Sequence, residues 1–156
     1  MLGSPIKQDR SNLIKLAINT GLWEPEDAET LLGSSLDSFF DGSMPENQSV
    51  KVFEYSGQIV GWAYYAESFH APGVWDVWWI GIDPKFQSKG LGRSFLSQIE
   101  SDIESRSGRL IIIETSSTPP LEKARSFYPA LGYRRCGEVP DFYGVNDNKI
   151  IFAKKL

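Results

Sequence analysis

The sequence predicts a protein of the α/β class, with a mixed β-sheet that carries helices on both faces. Three observations indicate this architecture: two amphipathic helical segments open the chain, a β-hairpin follows, and strands then alternate with helices before two closing strands. The chain has 156 residues, of which 41% are hydrophobic, so it is long enough to build a hydrophobic core. We therefore expect residues 1–156 to form a single domain.

The N-terminal region is expected to form two helices. In "SNLIKLAIN" (11–19) the apolar residues share one helical face, and Ser11 is a suitable N-cap. In "WEPEDAETLLGSSLDSFF" (23–40) Pro25 suits the first helical position, and acidic residues fill the first turn. The apolar face of this second helix comprises Leu31, Leu32, Leu36, Phe39 and Phe40.

The rest of the chain is expected to build the sheet. In "SVKVFEYSGQIVGWAYYAE" two β-rich runs flank "SG", the pattern of a hairpin turn. The almost continuously apolar segment 74–82 predicts a central strand covered on both faces, and "RLIIIETSS" (109–117) predicts a second buried strand. Helices are expected at 91–106 and in "PPLEKARSFYPALGY", which ends at Gly132. The turn "VNDN" joins the closing strands "RRCGEVPDFYG" and "NKIIFAKKL".

Composition argues against several classes of protein. The net charge of −4 disfavours nucleic acid as a partner. No segment is apolar and long enough to span a membrane, and "MLGSPIKQDR" lacks the apolar core of a secretory signal, so we expect a cytoplasmic protein. Cys136 and His70 are the only residues of their types, which disfavours a metal site. We expect Cys136 to be a buried small hydrophobe and His70 to lie at the surface.

The segment "QSKGLG" (87–92) lies between a predicted strand and a predicted helix. A P-loop requires Lys and Ser or Thr after its last glycine, whereas Arg93 follows Gly92. A Rossmann fingerprint requires a third glycine where Phe95 stands. The pattern that remains is Q/R-x-x-G-x-G/A, matched by Gln87, Gly90 and Gly92.

This remaining pattern suits a pyrophosphate. Gly90 and Gly92 allow the backbone to approach a ligand closely, and the first turn of the helix directs amides and a positive dipole at it. Lys89 and Arg93 add positive charge. The alternative is a strand-to-helix turn that binds no ligand and uses glycine only for its dihedral angles.

Two segments resemble the GCN5-related N-acetyltransferase (GNAT) family. "IGIDPKFQSKGLGRSFL" is similar to that family's strand, pyrophosphate loop and helix, and "ARSFYPALGY" is similar to its A-x-x-F-Y-x-x-x-G-F/Y segment. The resemblance runs from about residue 50 to the C-terminus and suits a small, single-domain member of bacterial type. It implies a mostly antiparallel sheet with two central parallel strands that splay apart. Residues 1–48 would then form a helical acceptor-side region, and residues 49–156 the hairpin, the acetyl-CoA-binding core and the C-terminal strands.

The resemblance also implies the residues that bind acetyl-CoA. The backbone of the central strand would pair with the pantetheine arm, and the glycine loop would bind the pyrophosphate. The implied residues are Ile80, Gly81, Ile82, Gln87, Ser88, Lys89, Gly90, Leu91, Gly92 and Arg93. No metal is implied.

Acetyl transfer to an amine needs an acid, a base and a hydrogen-bond donor for the developing oxyanion. The resemblance implies Tyr128 as the acid that protonates the departing thiolate; the alternative is a tyrosine that only packs against the sheet. A backbone amide near Ile82 is the candidate donor. Asp76 and Glu114 are candidate bases, because each interrupts an apolar strand where a carboxylate is costly unless it is paired or serves a site.

Strand alternation predicts where these carboxylates point. Asp76 would share a face with Trp78 and Ile80, and Glu114 would share one with Leu110 and Ile112. The alternative for each is a structural partner for an arginine or a backbone amide. A further hypothesis combines Asp141 with three aromatic residues into a wall for a cationic or amphipathic amine. Those aromatic residues are Trp75, Phe142 and Tyr143.

The sequence departs from the family pattern in three places. The first strand is very short or absent, which would expose a sheet edge and favour a homodimer. Leu121 replaces an asparagine that many members carry, so a contact to the cofactor arm would be missing or would come from the neighbouring hydroxyls of Ser116, Ser117 or Thr118. Pro129 follows Tyr128 and should kink or end the helix.

We therefore expect an acetyl-CoA-dependent N-acetyltransferase that acts on the primary amine of a small molecule. A longer acyl group, or a protein N-terminus or lysine as acceptor, is the alternative among enzymes. A module that senses acyl-CoA without turnover is the alternative among binding proteins.

Overall fold

The computed structural model describes residues 1–156 and contains a seven-stranded sheet. Its strands, in chain order, are β1 (Leu2–Gly3), β2 (Gln48–Tyr55), β3 (Gln58–Glu67), β4 (Val74–Ile82), β5 (Leu110–Ser116), β6 (Arg134–Gly144) and β7 (Asp147–Lys155). Their order across the sheet is β1-β2-β3-β4-β5-β7-β6. The β4–β5 pair is parallel and every other pair is antiparallel, as the GNAT resemblance implies.

Helices cover both faces of the sheet, which confirms the predicted architecture. They are α1 (Arg10–Asn19), α2 (Pro25–Asp27), α3 (Ser34–Asp41), α4 (Leu91–Ser105) and α5 (Glu122–Ala130). One hydrophobic cluster holds the apolar side of α4 and Tyr128 of α5, and a second holds the apolar side of α1 and the helical segment that follows it. No helix is long and apolar enough to cross a membrane.

Two details of the N-terminal helices differ from the sequence prediction. A 3₁₀ turn, Lys7–Asp9, leads directly into α1, so Ser11 lies inside the helix and is not its N-cap. A π-helical turn, Ala28–Gly33, joins α2 to α3. The wider turn shifts the helical register, so Leu31 is 57% exposed while Leu32 is buried.

The sheet edge next to β2 carries only a very short first strand. β1 pairs Leu2 with Phe53 and Gly3 with Val52, in line with the sequence expectation. The adjacent hairpin turns at Ser56 and Gly57, whose φ angles of 52° and 78° are both positive. Two consecutive positive φ angles are typical of a tight two-residue hairpin, so the turn predicted at "SG" is confirmed.

The two central strands part after four paired residues. The β4–β5 ladder runs from Val74 opposite Leu110 to Val77 opposite Ile113 and then stops. Beyond this point β4 continues on β3, and β5 continues on β7. A wedge-shaped opening therefore separates the C-terminal halves of β4 and β5, and the predicted splay is confirmed.

A β-bulge at Trp78 re-aims the residues of β4. Tyr64 pairs with Trp79 and Tyr65 with Val77, so Trp78 has no partner on β3. The extra residue breaks the alternation of side chains. Before the bulge Val77 packs on the side of α4, and after it Trp79 packs on the side of α1.

Candidate active site

The glycine loop presents a row of unpaired backbone amides. None of the six amides of residues 88–93 donates to an acceptor within the chain. Ser88 and Gly90 have positive φ angles of 63° and 74°, and Gly90 precedes the first residue of α4 without a side-chain cap. Such amides at a helix N-terminus form an anion-binding concavity, so the loop fits the predicted pyrophosphate.

Close contacts hold this loop in place. Gln87 donates from Nε2 to the carbonyl oxygen of Ile82 at 3.2 Å, which ties the loop to the end of β4. A Cβ at Gly92 would lie 3.3 Å from Cζ of Phe127, so glycine lets α5 pack here without a shift of the Phe127 ring. Lys89 and Arg93 are exposed and supply positive charge at the same place.

The strands that flank the opening also fit the predicted path of the pantetheine arm. β4 residues 78–82 have no strand partner on the β5 side, so their backbone groups there are available to a ligand. Thr115 follows the splay on β5, and its buried Oγ1 has no hydrogen-bond partner. Gly81 has a structural role as well, because a Cβ there would lie 2.4 Å from the Trp79 ring.

Tyr128 is buried in the hydrophobic cluster that contains the apolar side of α4. Its ring packs on Tyr133 and Phe152, with centroids 5.9 and 5.6 Å away. Burial alone raises the pKa of its hydroxyl to about 12, so the group is protonated at neutral pH and able to donate a proton. α5 ends at Ala130, one residue after Pro129, as the sequence predicts.

Asp76 and Glu114 line one cleft of about 270 Å³ where β4 and β5 part. The other lining residues are Val77, Trp78, Ile112 and Tyr143. Burial raises the pKa of Asp76 above its ordinary value, and the negative charge of Glu114 raises it further, while Lys149 opposes the change. The structure therefore brings the two predicted bases together, and Asp76 is the one without a hydrogen-bond or ion-pair partner.

Glu114 is paired with a residue that sequence analysis missed. Lys149 Nζ lies 2.7 Å from Glu114 Oε2 and 3.6 Å from the centroid of the Phe142 ring. The alternative of a structural ion pair therefore holds for Glu114, but with a lysine as its partner. One sequence signal was available: Lys149 precedes an apolar run, just as Asp76 and Glu114 interrupt theirs.

Several predicted neighbours of the carboxylates lie elsewhere. Asp76 shares the cleft with Trp78, but Ile80 packs against the opposite cluster because the bulge reverses the alternation. Trp75 is only 1% exposed on the side of α4, so it is not an acceptor wall. Asp141 accepts a hydrogen bond from the Asn146 amide at its own turn and does not line the cleft.

Other expectations are corrected or refined at the far end of the sheet. Cys136 is exposed, because β6 is an edge strand with little cover. His70 is exposed, as expected. The hydroxyls of Ser116 and Ser117 are engaged with Asp147 and the Asn148 amide. No group of three or more His, Cys, Asp or Glu residues is arranged to hold a metal ion.

Comparison with known proteins decides the family. The model of the acetyltransferase (GNAT) family matches residues 16–133, which is more than half of the chain. This chain belongs to the GNAT family of acetyltransferases. Acetyl-CoA-dependent N-acetyl transfer, which the two sequence motifs predict, is therefore confirmed at the level of the family.

Solved GNAT structures share the whole fold. A Desulfovibrio desulfuricans protein assigned to the GNAT family has a TM-score of 0.88 at 25% identity, with 99% of this chain and 98% of that chain covered. The ribosomal-protein-S18-alanine N-acetyltransferase of Escherichia coli has a TM-score of 0.74 at 17% identity, covering 99% and 92%.

A third structure, an aminoglycoside 6′-N-acetyltransferase complexed with coenzyme A, has a TM-score of 0.74 at 15% identity, covering 99% and 96%. Its acceptor and that of the E. coli enzyme differ in kind, so the fold of this GNAT protein does not determine its acceptor. Comparison with curated protein sequences gave no match.

Proposed function

We propose that this protein moves the acetyl group of acetyl-CoA to the primary amine of a small molecule bound in the cleft of Asp76. The observation that carries the proposal is the position of this cleft. It lies where the β4–β5 ladder stops, and the six free amides of residues 88–93 follow the end of β4. A cofactor bound along β4 would thus have its reactive end beside the carboxylates.

Binding of acetyl-CoA is assigned to backbone groups. The amides of residues 88–93 bind the pyrophosphate, with Lys89 and Arg93 adding charge. The backbone of residues 80–82 pairs with the pantetheine arm along the open side of β4. The proposed donor to the developing oxyanion is a backbone amide on the open side of this strand beside the cleft, and not one near Ile82, which lies at the end of β4 next to the glycine loop.

Asp76 is the proposed base. An alkyl amine has a pKa of about 10 and must lose a proton to attack the thioester carbonyl. Asp76 accepts that proton directly or through water, and its raised pKa makes it a better proton acceptor than an ordinary aspartate. Glu114 supports it electrostatically, because its negative charge raises the pKa of Asp76.

Tyr128 is the proposed acid. It is protonated at neutral pH, and no hydrogen bond within the chain contributes to its raised pKa, so its proton is not committed elsewhere. Tyr128 packs on the side of α4, whereas the cleft holds the carboxylates. We propose that Tyr128 and Asp76 reach the same thioester from two sides of the opening between β4 and β5.

The small size of the cleft favours a small acceptor over a peptide. A cleft of about 270 Å³ lies below the range of about 300–1,000 Å³ that is usual for drug-sized ligands. An extended peptide would need a longer groove. The acid and base candidates are present, which favours an enzyme over an acyl-CoA sensor.

The test mixes the protein and acetyl-CoA with a panel of amines, amino acids and peptides and follows the release of free thiol. We expect turnover on small primary amines and none on peptides. Tight acetyl-CoA binding without turnover on any acceptor would contradict the proposal and favour the sensor.

A further inference from the structure

The cleft contains two carboxylates, but only one of them is free for a ligand. Glu114 forms an ion pair with Lys149, whose side chain is 15% exposed and lies between the Glu114 carboxylate and the face of the Phe142 ring. A carboxylate and an aromatic face together form a favourable site for an ammonium group. In this protein the ammonium group of Lys149 occupies that site.

The rest of the lining is apolar or aromatic. Asp76 has no ion-pair partner, and the remaining lining residues are Val77, Trp78, Ile112 and Tyr143. Trp78 and Tyr143 are 53% and 48% exposed, so their rings are accessible in the cleft. Together they offer an open aromatic surface next to a single free carboxylate.

We propose that the acceptor is a primary amine on an apolar or aromatic body with no second positive charge. This inference rests on the proposed function and specifies its substrate class. The single free carboxylate matches one amine, and Trp78 and Tyr143 match the apolar body. A second ammonium group would have to compete with Lys149 for Glu114 or lose its hydration against apolar walls.

The test compares three amines that share a primary amine and differ in the body. They are n-butylamine, 2-phenylethylamine and 1,4-diaminobutane, and the measurement is kcat/KM from thiol release. We expect kcat/KM to be higher for 2-phenylethylamine than for n-butylamine, and about tenfold lower for 1,4-diaminobutane than for n-butylamine. A preference for the diamine would overturn the inference.

Substitution of Lys149 tests the role of the internal cation. Lys149→Gln frees the Glu114 carboxylate, so kcat/KM for 1,4-diaminobutane relative to n-butylamine should rise by about tenfold. Lys155→Gln is the matched control, since it removes the same charge from an exposed residue at the end of the same strand. An unchanged ratio in Lys149→Gln, or an equal rise in both variants, would overturn the inference.

A second variant tests the aromatic surface. Trp78 is more than half exposed, so Trp78→Ala should fold normally. It should remove most of the preference for 2-phenylethylamine over n-butylamine, mainly through a higher KM. An undiminished preference would contradict the assignment of Trp78 to the acceptor body.

Binding measurements separate failure of this inference from failure of the proposed function. The three amines are titrated calorimetrically into the protein saturated with CoA, which permits binding without transfer. Selective binding of the monoamines without any turnover on acetyl-CoA would overturn the proposed function and support this inference. Turnover with a preference for the diamine would support the proposed function and overturn this inference. If none of the three amines binds or is acetylated, both are overturned.

Discussion

Asp76 is the residue whose pKa is raised first by burial and then by the Glu114 carboxylate, against the opposing charge of Lys149. Both burial and the nearby Glu114 carboxylate raise its pKa in the folded protein above the ordinary value. A carboxyl whose folded pKa is raised binds its proton more tightly in the folded state than in the unfolded state. Folding is therefore favoured by this group at low pH, and that contribution is lost as the pH rises through the ordinary pKa toward the folded one.

This linkage predicts the stability of Asp76→Asn. The variant should be at least as stable as the wild type at pH 7, because it removes a charge that is poorly solvated in the cleft. The advantage should shrink below about pH 4, where the wild-type carboxyl is protonated in both states. Thermal unfolding at both pH values checks this. Marked destabilisation at pH 7 would mean that Asp76 has a structural partner.

Tyr128 carries the second prediction at this scale. Tyr128→Phe keeps the ring packing on Tyr133 and Phe152, so the fold and the affinity for acetyl-CoA should change little. Loss of the acid should lower kcat by about 10²-fold or more. Single-turnover kinetics and acetyl-CoA titration measure the two quantities separately. An unchanged kcat would remove Tyr128 from the mechanism.

Sequence patterns found some of the site residues and missed others for physical reasons. Asp76 and Glu114 were identifiable because a carboxylate in an apolar strand is costly. Lys149 was missed, because its partners, Glu114 on β5 and Phe142 on β6, become neighbours only when β7 pairs between those strands. Trp75 was wrongly assigned to the acceptor wall, because strand alternation places it on the face opposite Asp76, where it packs on the side of α4.

At the scale of elements, the glycine loop and α4 form the anion site. Gly90→Val should weaken acetyl-CoA binding by about tenfold or more, since the φ of 74° strains a β-branched residue and its side chain would stand beside the amides. Gly42→Val is the matched control, because Gly42 has a φ of 78° and equally open surroundings at the end of α3. Both variants should lose similar stability, and only Gly90→Val should lose affinity in calorimetric titration. Equal acetyl-CoA affinities would contradict the loop assignment.

Elements were predicted well from sequence because each has a local signal. The apolar runs of β4 and β5, Pro25 at the start of α2 and "SG" in the hairpin all correspond to observed features. The β-bulge at Trp78 had no such signal, because it depends on the register between β3 and β4 and not on residue type. For this reason the sequence predicted the wrong face for Ile80. The π-helical turn had no local signal either, so the sequence placed Leu31 on the buried face.

At the scale of the whole molecule, acetyl-CoA is expected to stabilise the fold by bridging elements on both sides of the splay. A ligand at 100 times its Kd adds about 2.7 kcal/mol to the free energy of unfolding if it binds only the folded state. For a chain of this size, that corresponds to a rise in Tm of about 5–10 °C. Thermal unfolding with and without acetyl-CoA measures this. A Tm that does not respond to saturating acetyl-CoA would contradict cofactor binding by the folded protein.

The two outer edges of the sheet bear on assembly. β1 covers only two residues of β2, and β6 is exposed along nearly all of its length. Open edges favour pairing with another chain, so a homodimer stays a prediction. Sedimentation velocity over a range of concentrations tests it. A monomer at every concentration would contradict it.

The central claim is that the acceptor amine is deprotonated by Asp76 in the cleft between β4 and β5. The most direct test is kcat/KM for n-butylamine in the wild type and in Asp76→Asn, together with the acetyl-CoA affinity of both. We predict a fall in kcat/KM of about 10²-fold or more with unchanged acetyl-CoA affinity. An Asp76→Asn variant that acetylates n-butylamine at the wild-type rate would contradict the account.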